Sequence, residues 1–194
     1  LTVVNPAQTT DSSARIAVDM GRVGIIGQSV AAFDRQRFAG VGIDVGNPHL
    51  ACVIPDLDDA GLRELPLHLK PVLDDEFFPH GANVELLTPL HADDSRGGDS
   101  TVSMRVHERG SGETRSCGTG TVAAAVAALA DRGQVDGTVH VVVPGGEVTV
   151  TIKDEQATLE GPSVIVASGT INIDQLREYA SAHYAPALRG KDDL

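Results

Sequence analysis

Cysteine and positive charge are both scarce in this 194-residue chain, which holds two cysteines, Cys52 and Cys117, and 15 Lys and Arg against 27 Asp and Glu, for a formal net charge of -12. Two cysteines build no disulfide framework in a chain of this size, so a reducing cytoplasm is the expected compartment and at least one thiol is free for chemistry. The acidic balance excludes a broad nucleic-acid or anionic-membrane surface, because either needs clustered Lys and Arg to neutralise phosphates. A small-molecule substrate is the expected partner. No apolar run approaches the ~20 residues that span a bilayer, and the start LTVVNPAQTT lacks the charged-then-apolar layout of a signal peptide. Internal repeats and low-complexity linkers are missing too. A Met is also missing at position 1, and the chain enters almost at once into a strand-like stretch. The expectation is a soluble cytoplasmic protein, read here as a fragment of a longer one.

What is present is enough for a core: 41% of the residues are hydrophobic, and the length suits one domain, or one domain plus a piece of another. Alternation of apolar and polar residues predicts short β-strands at 14–20, 41–45, 50–54, 83–87, 101–107, 138–143, 147–152, 157–159 and 163–167. Turn residues such as Pro144-Gly145-Gly146 punctuate Val-rich runs, a pattern of antiparallel hairpins rather than βαβ units. One segment has a different period. TVAAAVAALADR, from Thr121 to Arg132, is rich in helix formers, stops at Gly133, and carries apolar residues on every face. A helix buried all round and wrapped by antiparallel strands is therefore predicted, an α+β fold. A weaker helix is predicted over 56–65, where acidic residues occupy the first turn. The polar stretch 91–100 reads as a mobile hairpin loop. The tail from Asn172 to Tyr184 has helical spacing and should break at Pro186, with RGKDDL frayed beyond it.

The most informative stretch is Glu108-Arg109-Gly110-Ser111-Gly112-Glu113-Thr114-Arg115-Ser116-Cys117-Gly118-Thr119-Gly120, between a strand and the predicted buried helix. A cysteine at a helix N-terminus sits at the positive end of the macrodipole, which lowers a thiol pKa from about 8.5 toward neutrality and suits it to proton transfer. The N–H groups of Gly118, Thr119 and Gly120 suit an α-carboxylate and would stabilise the charge that develops when the α-proton leaves. Read alone, CGTG fits equally well a buried cysteine followed by a tight turn.

VHERGSGETRSCGTGTVAAAVAAL resembles the second cysteine motif of diaminopimelate epimerases. Asp44-Val45-Gly46-Asn47-Pro48-His49 resembles that family's GNPH motif and Gly81-Ala82-Asn83-Val84-Glu85 its G-x-NVE motif, in the same order along the chain. The resemblance implies a diaminopimelate-epimerase-like fold, of which this chain is one of two pseudo-symmetric halves, the N-terminal half with the first cysteine being absent. On that basis residues 1–171 form the C-terminal epimerase domain, with a last strand at about 162–171 packing on the missing half, and 172–194 form a C-terminal helix and tail. The implied activity is cofactor-independent inversion of LL-diaminopimelate to the meso isomer by two thiols, serving lysine and cell-wall precursor synthesis, with no metal, a possible homodimer, and no turnover by one half alone. Cys117, Glu108 and His49 would be catalytic. Asn47, Asn83 and Arg109 would hold the distal amino-acid end, Glu108 would contact the substrate amino group or polarise the thiol, and Gly118 and Thr119 would bind the carboxylate at the reacting carbon.

The residue chemistry agrees: Arg offers a planar fork to a carboxylate, Asn amides suit a zwitterion, and an imidazole titrates near neutral pH. Outside the motif, Glu108 with Arg109 reads as a surface ion pair and the asparagines as turn formers. Ser116 and Thr121 depart from the alanines usual in much of the family. Cys52 reads as core packing. Three other readings stay open: a proline-type racemase on the same fold, a hydrolase built on Cys117, His49 and Glu108, and a non-catalytic binding or dimerisation module.

Overall fold

Residues 2–4, 12–93 and 99–188 are described by a computed structural model. Val-, Ile- and Thr-rich alternation produces twelve strands, β1 (Thr2–Val4), β2 (Ser13–Arg22), β3 (Gly24–Phe33), β4 (Gln36–Asp44), β5 (Pro48–Val53), β6 (Asn83–Leu87), β7 (His91–Asp93), β8 (Asp99–Glu108), β9 (Gly112–Thr114), β10 (Gly137–Val143), β11 (Gly146–Lys153) and β12 (Gln156–Val164). Ten of them lie in one sheet path, β1-β2-β12-β11-β10-β8-β6-β5-β4-β3, with β7 and β9 on β8. Most neighbours are antiparallel, as hairpins require. Two pairs depart from the all-antiparallel expectation: β5 runs parallel to β6, and β8 to β10. Each is joined by a long crossover containing a helix, α1 (Asp59–Glu64) or α2 (Gly118–Asp131), which parallel pairing needs.

Helix α2 is the buried helix expected from its composition. Every residue from Gly120 to Leu129 is buried, and it packs against β4, β5, β6, β8, β10 and β11. Alanine at 123, 124, 125, 127 and 128 keeps the helix thin, so strands close around it without voids. A second cluster lies on the other face of β5 and β6, where Leu50, Cys52, Val84 and Leu86 meet Phe33, Leu62, Leu67 and Phe78. Strands β5 and β6 are thus covered on both faces. Short α1 is capped by Asp58, whose Oδ1 accepts from Gly61 N at 2.7 Å. Arg105 holds the other end, donating to the carbonyls of Leu62, Arg63 and Leu65 at 2.7–2.9 Å.

Several expected boundaries move. Strand β3, with Gly24 and Gly27 in it, has too little alternation to be read beforehand. The expected strand at 163–167 ends at Val164, and 165–172 carry no regular structure. The ends of the expected 91–100 loop pair as β7 with β8, while 94–98 lie outside the described residues. The chain divides into two compact units after Ser163, earlier than the expected boundary at 171. The second unit holds α3 (Ile173–Leu188), begun by Asn172 Oδ1 accepting from Asp174 N and Gln175 N at 3.1 Å. It runs two residues past Pro186, since a proline fits helical φ and removes a single hydrogen bond. The RGKDDL tail lies outside the described residues. No described helix is long and apolar enough to cross a membrane.

Gly40 in β4 is where β4 and β5 approach most tightly: a Cβ there would stand 2.6 Å from Cys52 Sγ and 2.7 Å from the Ala51 carbonyl oxygen. Backbone does not yield as a side-chain tip does, so Gly40→Ala is expected to destabilise by about 1–3 kcal/mol, read as a lowered urea midpoint with an unchanged slope.

Candidate active site

Strand alternation sorts the candidate residues onto one face. In the parallel β5–β6 pair His49 lies opposite Asn83 and Ala51 opposite Glu85, so these four share a face while Leu50, Cys52, Val84 and Leu86 share the other. Ala51 belongs to the core around α2, so the shared polar face is the one the helix covers. In the antiparallel β6–β8 pair Glu85 lies opposite Val106, another member of that core. Glu108, two residues on, continues the same side at the strand end.

His49 and Glu85 are both fully buried, with His49 Nδ1 and Glu85 Oε1 2.7 Å apart. The other ring nitrogen, Nε2, lies 3.1 Å from Asn47 Oδ1. Asn83, nearly buried, accepts the Arg109 backbone N–H at 2.8 Å through Oδ1, and the Arg109 guanidinium donates to the His80 carbonyl at 3.0 Å. Glu108 accepts from the Thr114 hydroxyl on β9. A turn in front of β5 is fixed by Asp44 Oδ1, which accepts from Gly46 N at 2.8 Å and presents Asn47 beside it.

Cys117 is the N-cap of α2, in extended conformation with φ -137° and ψ 117°. Ser, Thr, Asp and Asn usually fill this place, because their oxygens accept the N–H two or three residues on. Here sulfur does so: Gly120 N donates to Sγ at 3.4 Å, and the Thr119 hydroxyl lies 3.5 Å away. Gly118 N and Thr119 N fall where a helix offers no internal acceptor, and Gly118 is exposed. Cys117 is 8% exposed and packs at the edge of the apolar cluster around α2. Thr121 tightens the turn by donating from its hydroxyl to the Gly118 carbonyl at 2.7 Å. Gly120 admits no side chain, since a Cβ would stand 2.8 Å from Glu85 Oε1 and 3.3 Å from Cys117 Sγ.

One expectation reverses. Burial pushes the Cys117 thiol up from its ordinary value, and the negative charges of Glu108 and Glu85 push the same way, outweighing the hydrogen bonds from Thr119 and Gly120 that lower it. The N-terminal position thus does not bring the expected lowering toward neutrality, and the neutral thiol is the favoured form. Cys52 is sealed, with Sγ near the Phe38 carbonyl, and burial carries its pKa to about 12.

The chain therefore brings the expected residues together in four small groups: Asn47 with His49, Asn83 with Arg109, Glu108 with Thr114, and Cys117 with Thr119 and Gly120. His49 makes its hydrogen bonds with Glu85 and Asn47 and none with Cys117, so the nucleophile–base contact of a Cys-His hydrolase is not formed. Arg109 also lines a cavity of about 690 Å³ with His68, Lys70 and His80 that does not reach Cys117. Glu85 is the residue the sequence reading passed over. Its signal was a carboxylate inside the apolar run VELL, where a charge must have a partner. Among the described residues no group of three or more His, Cys, Asp or Glu is placed to hold a metal ion.

The family model for diaminopimelate epimerase matches residues 41–173, more than half of the chain. The chain belongs to the diaminopimelate epimerase family. All three motif segments, 44–49, 81–85 and 108–120, fall inside that match. Among curated relatives, the diaminopimelate epimerase of Corynebacterium glutamicum strain R is 54% identical over 170 residues, covering 88% of this chain and 58% of the relative. That of Rhodococcus jostii is 55% identical, covering 81% and 52%, and that of Mycolicibacterium gilvum 49% identical, covering 84% and 54%. The chain spans a little over half the length of these diaminopimelate epimerases.

A thiol with a raised pKa is protonated at neutral pH, and its reactivity toward alkylating agents climbs only as pH rises through that higher value. Iodoacetamide labelling of the native protein, mapped by mass spectrometry, is expected to modify Cys117 with a pH midpoint above that of an unhindered thiol and to leave Cys52 untouched until the protein is denatured.

Proposed function

We propose that the complete protein inverts one α-carbon of diaminopimelate, interconverting the LL and meso isomers without metal or pyridoxal phosphate, in the supply of lysine and cell-wall precursors. The observation that carries this reading is a thiol capping the first turn of a buried helix, where the Gly118 and Thr119 amides have no acceptor within the helix, in a chain whose family acts on this amino acid by name. The amides of Gly118 and Thr119 receive the carboxylate at the reacting carbon, where they also favour the extra negative charge of the deprotonated state. Asn47, Asn83 and Arg109 hold the distal amino-acid end. Asn83 spends only its oxygen on Arg109 N, and Arg109 spends one of five N–H donors on His80, so both keep donors for a ligand. Glu108 receives the substrate ammonium.

The protonated Cys117 is set up as the acid. A base on the opposite face removes the α-hydrogen as a proton, leaving the electron pair on carbon and the carboxylate. Cys117 then delivers its own proton to the other face and becomes the thiolate. The opposing base is a second thiol. The sequence holds one other cysteine, Cys52, and it is sealed in the core, so that thiol comes from outside these 194 residues and this chain by itself does not turn over. His49 supports the site from behind, through Asn47.

In the complete protein Cys117→Ala is expected to lower kcat by at least about a hundredfold, the range for losing a positioned acid or base. Arg109→Ala is expected to raise KM by roughly tenfold or more, as for a lost charge-assisted hydrogen bond. Both are read by following the LL and meso isomers chromatographically; normal turnover by Cys117→Ala would remove the assignment.

A further inference from the structure

We infer that Glu85 is a positioning residue of this site: its buried carboxylate fixes the His49 ring, and through it Asn47, against the first turn of α2. The inference rests on the function proposed above and adds a residue that no step of that chemistry touches directly. Three motif segments meet at this one side chain. On one side Glu85 Oε1 lies 2.7 Å from His49 Nδ1, and His49 Nε2 continues to Asn47 Oδ1 at 3.1 Å. On the other side the same Oε1 presses on Gly120, where an added Cβ would stand only 2.8 Å from it, and Gly120 is the amide that holds the Cys117 sulfur. Its second oxygen, Oε2, is buried without a hydrogen-bond partner.

A carboxylate in that position is costly. Glu85 is 0% exposed in the middle of a five-residue strand that is buried throughout, and an ion pair so placed is often no better for stability than well-packed apolar side chains. Burial raises the Glu85 pKa while the His49 hydrogen bond and charge lower it, so His49 is what keeps the group ionisable there. What the pair supplies is orientation: an imidazole tied at Nδ1 has its ring plane and its remaining nitrogen set, the role carboxylates play behind histidines in many sites. An ionised carboxylate oxygen can only accept, so with Glu85 charged the ring nitrogen facing it across 2.7 Å, Nδ1, is the donor.

The test uses the complete protein and two readouts. In the wild type, ¹H–¹⁵N spectra of the imidazole region are expected to show a proton on His49 Nδ1 exchanging slowly with solvent, because the ring is sealed. Glu85→Gln keeps shape and an acceptor oxygen but removes the charge; it is expected to shift that resonance and lower kcat at least tenfold while the backbone amide spectrum stays that of the folded protein. A bare Nδ1 in the wild type overturns the inference, and so does a Glu85→Gln variant with kcat within twofold of wild type. If Glu85→Gln fails to fold, the wild-type spectrum alone decides. If the wild type does not epimerise diaminopimelate, the proposed function fails while the Nδ1 proton still judges Glu85.

Discussion

A thin helix sealed on all sides is the constraint from which the rest follows. Ten consecutive residues of α2, Gly120 to Leu129, are buried, and their alanines let six strands pack against one cylinder. Such a helix has no soft side along which to slide, since any shift opens voids or forces overlaps in a core packed at crystal-like density. Its first residue is then as firmly placed as its middle. The sulfur at its N-cap and the amides after it inherit that rigidity, which a catalytic constellation needs more than it needs any single contact.

The same burial sets the electrostatics. A helix N-terminus favours an anion, yet Cys117 is buried and flanked by the charges of Glu85 and Glu108, and both push its thiol pKa up. Under the proposed function, negative charge at this site is reserved for the substrate: a carboxylate at the Gly118 and Thr119 amides, with Arg109 and the two asparagines at its distal end. Burial pushes both Glu85 and Cys117 toward their neutral forms, and the hydrogen bonds each accepts or shares, from His49 for the one and from Thr119 and Gly120 for the other, work against that push.

Much of this was legible from the sequence because period and composition are strong signals where burial is one-sided or complete. TVAAAVAALADR announced α2, and alternation announced β2, β8, β10 and β11, most plainly the last two, where alternate residues lie on the core. Strand β3 was not legible: GIIGQSVAAF breaks its alternation at glycines, and the hairpin to β4 turns through Asp34 at φ 52° with Arg35, outside the usual Asn-Gly turn chemistry. The parallel pairs were hidden as well, because direction depends on where a crossover lands and not on local pattern. At the candidate site, motif order singled out Asn47, His49, Asn83, Glu108, Arg109 and Cys117 as candidates. The partner of His49 is set by strand register, 36 residues away, and so Glu85 appeared only when β5 and β6 were seen side by side.

The central claim is that Cys117 hands its own proton to carbon on the face opposite the one from which a proton is taken. Incubating the complete protein with LL-diaminopimelate in D₂O and measuring deuterium at the α-carbon in both isomers early in the reaction tests it most directly. Two distinct proton sites predict one deuterium at the inverted carbon of the meso product and almost none in the remaining LL substrate. Deuterium entering the unreacted LL isomer as fast as product forms, or a product without deuterium, would contradict the account.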